Sequence, residues 1–151
     1  MNPVANIRRA RADEAHSIAV LIDEAYSPWI ARIGQKPGPM LEDYTRVIVH
    51  DIVFVRTDDS GIIGVLVLSQ DAHELLLGNV AVASRCKGQG IGKELIAFAE
   101  DYARGQGCEA IRLYTHESMS ENLVIYRKLG YQETHRATEH GFPRVFMRKV
   151  L

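Results

Sequence analysis

An apolar strand that runs directly into alternating glycines and then into a helix is the feature that most restricts this chain. The segment reads Val80-Ala81-Val82-Ala83-Ser84-Arg85-Cys86-Lys87-Gly88-Gln89-Gly90-Ile91-Gly92-Lys93. Glycine has no Cβ, so its backbone reaches positive φ and lets successive N–H groups converge on one point. The following helix adds unpaired N–H groups and the positive end of its dipole. Lys87 and Lys93 bracket the loop with full charges. The pattern predicts a cradle for a diphosphate.

Spacing separates the known phosphate loops. A Walker loop requires G-x-x-x-x-G-K-[ST]; counting back from Gly92-Lys93 puts Lys87 at the first glycine and Glu94 at the hydroxyl, so that reading fails at both places. A dinucleotide fingerprint, G-x-G-x-x-G near the first strand of a doubly wound sheet, also fails, because the third glycine comes one residue early and the loop lies past mid-chain. Residues 110–115, the next predicted strand, end without an acidic ribose partner. Lys87-Gly88-Gln89-Gly90-Ile91-Gly92 resembles instead the [QR]-x-x-G-x-[GA] acyl-CoA loop of the GNAT N-acyltransferase superfamily, with Lys in the first place. Arg85-Cys86-Lys87-Gly88-Gln89-Gly90 matches the same pattern literally, two residues earlier. The Lys87 register is preferred, because it starts the helix directly after Gly92 and puts Val80-Ala81-Val82 where that family has its Leu/Val-Ala-Val strand end.

The length of 151 residues suits a single domain over residues 1–151 with one core. No apolar run approaches the ~18 residues of a membrane span, and the first residues lack the apolar stretch of a signal peptide, so a cytoplasmic protein with no membrane partner is expected. Cys86 and Cys108 make neither a disulfide framework nor a metal site. His73, His135 and His140 share no metal-ligand spacing with nearby Cys or carboxylates, so no metal is expected. A net charge of −1 argues against nucleic-acid binding. Its distribution is uneven: residues 1–75 hold 7 Lys+Arg against 11 Asp+Glu, and residues 76–151 hold 11 against 8. The positive half contains the glycine loop, which suits an anionic cofactor there and a basic or neutral substrate at the other half.

Periodicity supplies the remaining elements. A strand over 4–9 precedes a helix over 13–26, where Ala15, Ile18, Ala19, Ile22 and Ala25 recur at helical spacing. Residues 27–40 carry three prolines and two glycines and are expected to break regular structure, yet keep Trp29, Ile30, Ile33 and Met40. That segment, with Tyr26 and Tyr44, is a candidate substrate lid; a core-packing or homodimer-contact role stays open. A short helix over 41–49 leads into strands over 51–56, 62–68 and 74–82, read as an antiparallel meander. A helix over 93–105 and the strand over 110–115 complete a parallel crossover. Ser118-Met119-Ser120-Glu121 reads as a capping box for a helix that Gly130 stops, followed by strands over 131–135 and 145–150. The order β-α-α-β-β-β-α-β-α-β-β is that of the GNAT fold, an α/β mixed sheet flanked by helices. Asn122-Leu123-Val124-Ile125-Tyr126-Arg127-Lys128-Leu129-Gly130-Tyr131 resembles that family's second signature, N-x-x-x-Y-x-x-x-G-[FY].

The resemblance implies an N-acetyltransferase that moves the acetyl group of acetyl-CoA to a primary amine of a small molecule or peptide, by direct attack in a ternary complex. The alternative is an acyl-CoA-binding module without turnover. By resemblance the cofactor is held by Val80, Ala81, Val82, the loop Lys87, Gly88, Gln89, Gly90, Ile91, Gly92 and Lys93, and by Asn122 and Tyr126. An amide near Val80 to Val82 polarises the thioester carbonyl, and Tyr126 is the acid for the departing thiolate. The family's fourth-strand glutamate is replaced here by Leu76. Glu74, on the same strand face, and His116, at the end of the fifth strand, are the candidate bases; ordered water is the third option.

Overall fold

Turn chemistry and apolar alternation build the first half of the sheet. The computed structural model describes residues 6–151. Strand β1 (Ile7–Arg9) pairs antiparallel with β2 (Ile52–Asp58), β2 with β3 (Gly61–Asp71), and β3 with β4 (Glu74–Val82), which is the expected meander. Val4 and Ala5, placed in the first strand from sequence, lie outside the described residues. Helix α4 (Ile91–Gly105) then carries the chain to β5 (Ala110–His116), parallel to β4. The last strand, β7 (Phe142–Val150), inserts between β5 and β6 (Gln132–Glu139), so the seven-stranded order is β1-β2-β3-β4-β5-β7-β6. This mixed sheet flanked by helices matches the expected fold.

Four local readings change. Gly90, at φ +79°, is the N-cap of α4, so the helix starts at Ile91 and not after Gly92; the loop ends where the last left-handed glycine turns the chain. The capping box at Ser118 does not form: the Ser118 N–H donates to His116 Nδ1 (3.0 Å), Met119 is the N-cap of α5 (Ser120–Lys128), and Arg32 holds Glu121 through two 2.7 Å bonds. Residues 27–41 are a string of short helical turns, including α2 (Ile30–Ile33), because Pro28 opens one turn and Gly34, at φ +87°, closes the next. The predicted helix over 41–49 begins later, as α3 (Tyr44–His50), capped by Asp43 accepting from the Thr45 N–H at 3.1 Å.

One irregularity decides where a ligand fits. Leu77 pairs with Leu68 and Asn79 with Val67, which leaves Gly78 as an extra residue, a β-bulge. A bulge bends its strand. Parallel pairing of β4 with β5 accordingly runs only from Glu74↔Ala110 to Leu77↔Leu113, and beyond it residues 78–82 and 114–116 diverge.

The two faces of the sheet are covered by different helices. A Cβ on Gly64, which pairs with Val82, would lie 3.0 Å from Leu95 Cδ1, so Val82 and, by alternation, Val80 face α4. Asn79 bonds Tyr26 and Tyr44, so it faces α1 (Ala15–Tyr26) and α3. Lys149 donates to Glu100 of α4 at 2.9 Å. Unbroken pairing of β5 with β7 then turns Tyr114, His116 and Arg144 toward the α1 face. The core fills both faces: Ile18, Leu21 and Ile22 of α1 pack on one, and on the other Leu95, Ile96, Ala99 and Ala103 meet the buried strand residues while Phe98 and Tyr102 edge onto Phe54.

Candidate active site

Where β4 and β5 part, a cavity of about 560 Å³ opens, lined on the α4 side by Val80, Val82, Ile91 and Gly92 and on the α1 side by Tyr26, Tyr44, Asn79, Tyr114 and His116. It therefore passes through the sheet. The gap also exposes backbone. The Ala83 N–H donates to Ile63 C=O on β3 at 2.8 Å, so alternation directs the N–H groups of Val82 and Val80 to the opposite edge, into the gap. On that edge the Val80 C=O accepts from the Tyr26 hydroxyl at 3.3 Å.

At the α4 end the glycine loop has the geometry the spacing predicts for an anion cradle. Gly88 and Gly90 have φ of +84° and +79°, and a Cβ on either would point into open space. The first hydrogen bond of α4 runs from the Glu94 N–H to Gly90 C=O at 3.0 Å, which leaves the N–H groups of Ile91, Gly92 and Lys93 without a helical partner. Lys87, Gly88, Gly90, Ile91, Gly92 and Lys93 all line the cavity; Gln89 does not. Of the strand residues, Val80 and Val82 line it, whereas Ala81 is buried on the α1 face and does not.

Asn122 and Tyr126, three residues of α5 intervening, share its inner face and both line the cavity. The Asn122 amide donates to Met119 Sδ at 3.6 Å. Tyr126 packs edge-on against Tyr131, with ring centroids 5.7 Å apart. Burial pushes its phenol up to about 12, so it is protonated throughout the neutral range.

The two candidate bases have different surroundings. Glu74 stands at the paired end of β4, away from the cavity lining, where Arg148 donates to it at 3.0 Å and holds its carboxyl below the usual range. The structure does not bring it to Tyr126. His116 does line the cavity. Desolvation holds its imidazole below the ordinary value, with Arg144 acting in the same direction and Glu117 against it. Its Nδ1, however, accepts the Ser118 N–H, so the neutral ring carries its proton on Nε2 and presents a donor.

Asn79, Tyr114, Phe142 and Arg144 are among the cavity residues that sequence reasoning missed. Asn79 joins a chain in which the Tyr26 hydroxyl donates to its Oδ1 (2.6 Å), its Nδ2 donates to the Tyr44 hydroxyl (3.4 Å), and Tyr44 donates to Pro39 C=O (2.6 Å). Tyr114, Phe142 and Arg144 form the wall opposite. A glycine inside a strand signals a bulge and pointed to Asn79; the wall follows only from the β5–β7 register. Of the suspected lid, Ile33, Pro37, Gly38 and Pro39 line the cavity, and Trp29, stacked 5.0 Å from the Arg32 guanidinium, does not.

A family model described as "Acetyltransferase (GNAT) family" matches residues 15–131. Among curated proteins, N-alpha-acetyltransferase 80 of Mus musculus is 38% identical over 60 residues, 40% of this chain and 18% of that protein. Probable N-acetyltransferase camello of Xenopus laevis is 31% identical over 74 residues, 49% of this chain and 34% of that protein. The chain thus spans 18% and 34% of those two relatives' length. Uncharacterized N-acetyltransferase YhfO of Bacillus subtilis (strain 168) is 24% identical over 85% of this chain and 90% of its own. Among solved structures, the PaiA N-acetyltransferase of Thermoplasma acidophilum in complex with coenzyme A superposes with a TM-score of 0.79 at 21% identity, covering 96% of this chain and 98% of that one. The IAA acetyltransferase of Bacillus cereus ATCC 14579 gives 0.72 at 20%, with the same coverage of both chains. Likeness at that identity speaks to the fold.

Proposed function

The chain belongs to the acetyltransferase (GNAT) family, and on that premise we propose that it moves the acetyl group of acetyl-CoA to a primary amine of a small molecule or peptide, by direct attack with both substrates in the through-sheet cavity. The observation that carries this is the juxtaposition at the β4–β5 gap of a cradle of free amides on one face and a polar, aromatic chamber on the other.

The residues present fit the cofactor. Left-handed Gly88 and Gly90, the open α4 N-terminus, Lys87 and Lys93 suit a diphosphate. The edge of Val80 and Val82 suits a pantetheine arm lying where a strand would pair. Acetyl-CoA supplies an activated acyl group as a thioester. The Val80 N–H, aimed into the gap, donates to the oxygen that gains charge when an amine attacks; such a fixed donor contributes about 3 kcal/mol to the transition state.

Tyr126 serves the sulfur. Its phenol near 12 against an ordinary thiol near ~8.5 makes complete proton transfer cost about 5 kcal/mol, so a hydrogen bond that stabilises the departing thiolate is the main effect. The proton that ends on sulfur is the one the amine sheds once it has attacked. Glu74 is held by Arg148 and the Nδ1 lone pair of His116 is taken, so neither removes the first ammonium proton, and that step is assigned to water. His116 then orients the acceptor through Nε2–H.

The test is thiol release from acetyl-CoA against a panel of amines, with coenzyme A binding measured by calorimetry. Tyr126→Phe is expected to lower kcat by 10- to 100-fold and to leave the coenzyme A Kd within threefold. A parent protein that binds coenzyme A and acetylates no amine overturns the assignment.

A further inference from the structure

The chamber on the α1 face holds a cation that the reaction itself does not use. Arg144, on β7, sits opposite His116 in the strand register, and its guanidinium lies 4.3 Å from the ring centroid of Tyr114 and 5.5 Å from that of Phe142. Its side chain is only 14% exposed, yet it lines the cavity. A guanidinium carries five N–H donors in a planar fork. Among the described residues one carboxylate answers them: Arg144 Nη1 donates to Glu139 at 3.0 Å, and Glu139 is itself 47% exposed. The Nη2 end lies near Gly38, where an added Cβ would stand in ordinary contact at 3.8 Å, and Nη2 makes no hydrogen bond to the described residues.

Resting on the acetyltransferase reading above, we propose that Arg144 selects the acceptor: the amine that is acetylated carries a carboxylate, which the free edge of this guanidinium binds. The donors that Glu139 does not take face the cavity, open to a ligand, and a carboxylate matches the fork with two parallel bonds. The stacking on Tyr114 and Phe142 fixes the fork's plane before the ligand arrives, which suits Arg and would not suit Lys. Opposite charge is available in the same cavity, because Glu42 also lines it, close enough to contribute to raising the Tyr44 phenol. A chamber with a cation at one place and an anion at another fits a zwitterion, an amino acid or similar small compound, with its ammonium steered away from Arg144 and its carboxylate toward it.

A purely structural Arg144, tying the β6–β7 hairpin through Glu139, makes a different prediction, and selectivity separates the two. The experiment compares kcat/KM for amino acids with that for their amides, in the parent, Arg144→Gln and Arg144→Lys, alongside calorimetric titration with N-acetylated amino acids as product probes. The expected parent preference is at least 30-fold for the carboxylate, collapsing to under 3-fold in Arg144→Gln and only partly recovered in Arg144→Lys, with coenzyme A affinity unchanged. Equal or better use of the amides by the parent overturns the carboxylate assignment and leaves the acetyltransferase standing. Arg144-dependent binding of N-acetylated amino acids without turnover of any amine does the reverse. Loss of activity in Arg144→Gln equally for acid and amide overturns the proposal in favour of the structural role.

Discussion

The hydroxyl of Tyr26, the last residue of α1, donates to Asn79 Oδ1 at 2.6 Å, and Asn79 is the first residue after the bulge in β4. This bond anchors the helix to the strand where the strand leaves its parallel neighbour. It also explains why a polar side chain is tolerated at 7% exposure: both ends of the amide are occupied, by Tyr26 and Tyr44.

Replacing Asn79 with Ala would leave the buried Tyr44 phenol and the half-buried Tyr26 phenol each short of a partner. The expected cost is about 1–3 kcal/mol in chemical denaturation. Asn79→Asp, which keeps the acceptor for Tyr26 and brings a charge among phenols, is expected to be at least as damaging at neutral pH and to recover toward acid, where its carboxyl is protonated. A variant as stable as the parent in both cases would mean that the network contributes nothing to holding the gap.

The loop, the meander and the crossover were legible because each is written in local terms: glycines next to a strand end, alternation between Asp-Ser-Gly and Asp-Ala-His turns, and a stripe over Leu95, Ile96, Ala99 and Ala103. Tyr126 and Asn122 were legible as a signature on one helix face. The rest is non-local. Leu76 and Glu74 do share a face, but the cavity around the Gly78 bulge reaches back only as far as Leu76 and leaves Glu74 outside, while its polar lining comes from residues whose partners lie on α1, α3 and β7. Ser118 met the pattern of a cap and lost it to competition: the His116 imidazole took its N–H, and Arg32, far away in sequence, took Glu121. Arg144 looked like one more strand arginine, since only the pairing His116↔Arg144 turns it into the chamber.

Titration of the site should follow the acceptor and not the side chains. His116 is held below the usual imidazole range and Tyr126 is pushed up to about 12, so neither changes charge between about pH 7 and 10. A steady rise of kcat/KM with pH is expected, with its midpoint set by the acceptor amine and no descending limb below about pH 10. His116→Gln is expected to reduce kcat/KM while leaving the ascending limb at the same midpoint. A limb that moves or vanishes in that variant would make His116 the base after all.

Acid stability has a separate origin, at the start of the chain's first helical segment. Arg8 donates both Nη groups to Glu14 at 2.8 Å, and the Arg11 N–H donates to the same carboxylate at 2.7 Å. The hydrogen bonds to Arg8 hold the Glu14 carboxyl at about 2, against an ordinary 4.5, despite opposing desolvation. A depressed folded value means the contribution is complete above about pH 4.5 and disappears as pH falls through about 2. Because the Arg8 side chain is 38% exposed, solvent reduces the effect to roughly 2 kcal/mol. Glu14→Gln should therefore lower stability at pH 7 by about that amount in urea titrations, and the gap to the parent should close by about pH 2. A gap that stays constant across that interval would assign the loss to packing and not to the ion pair.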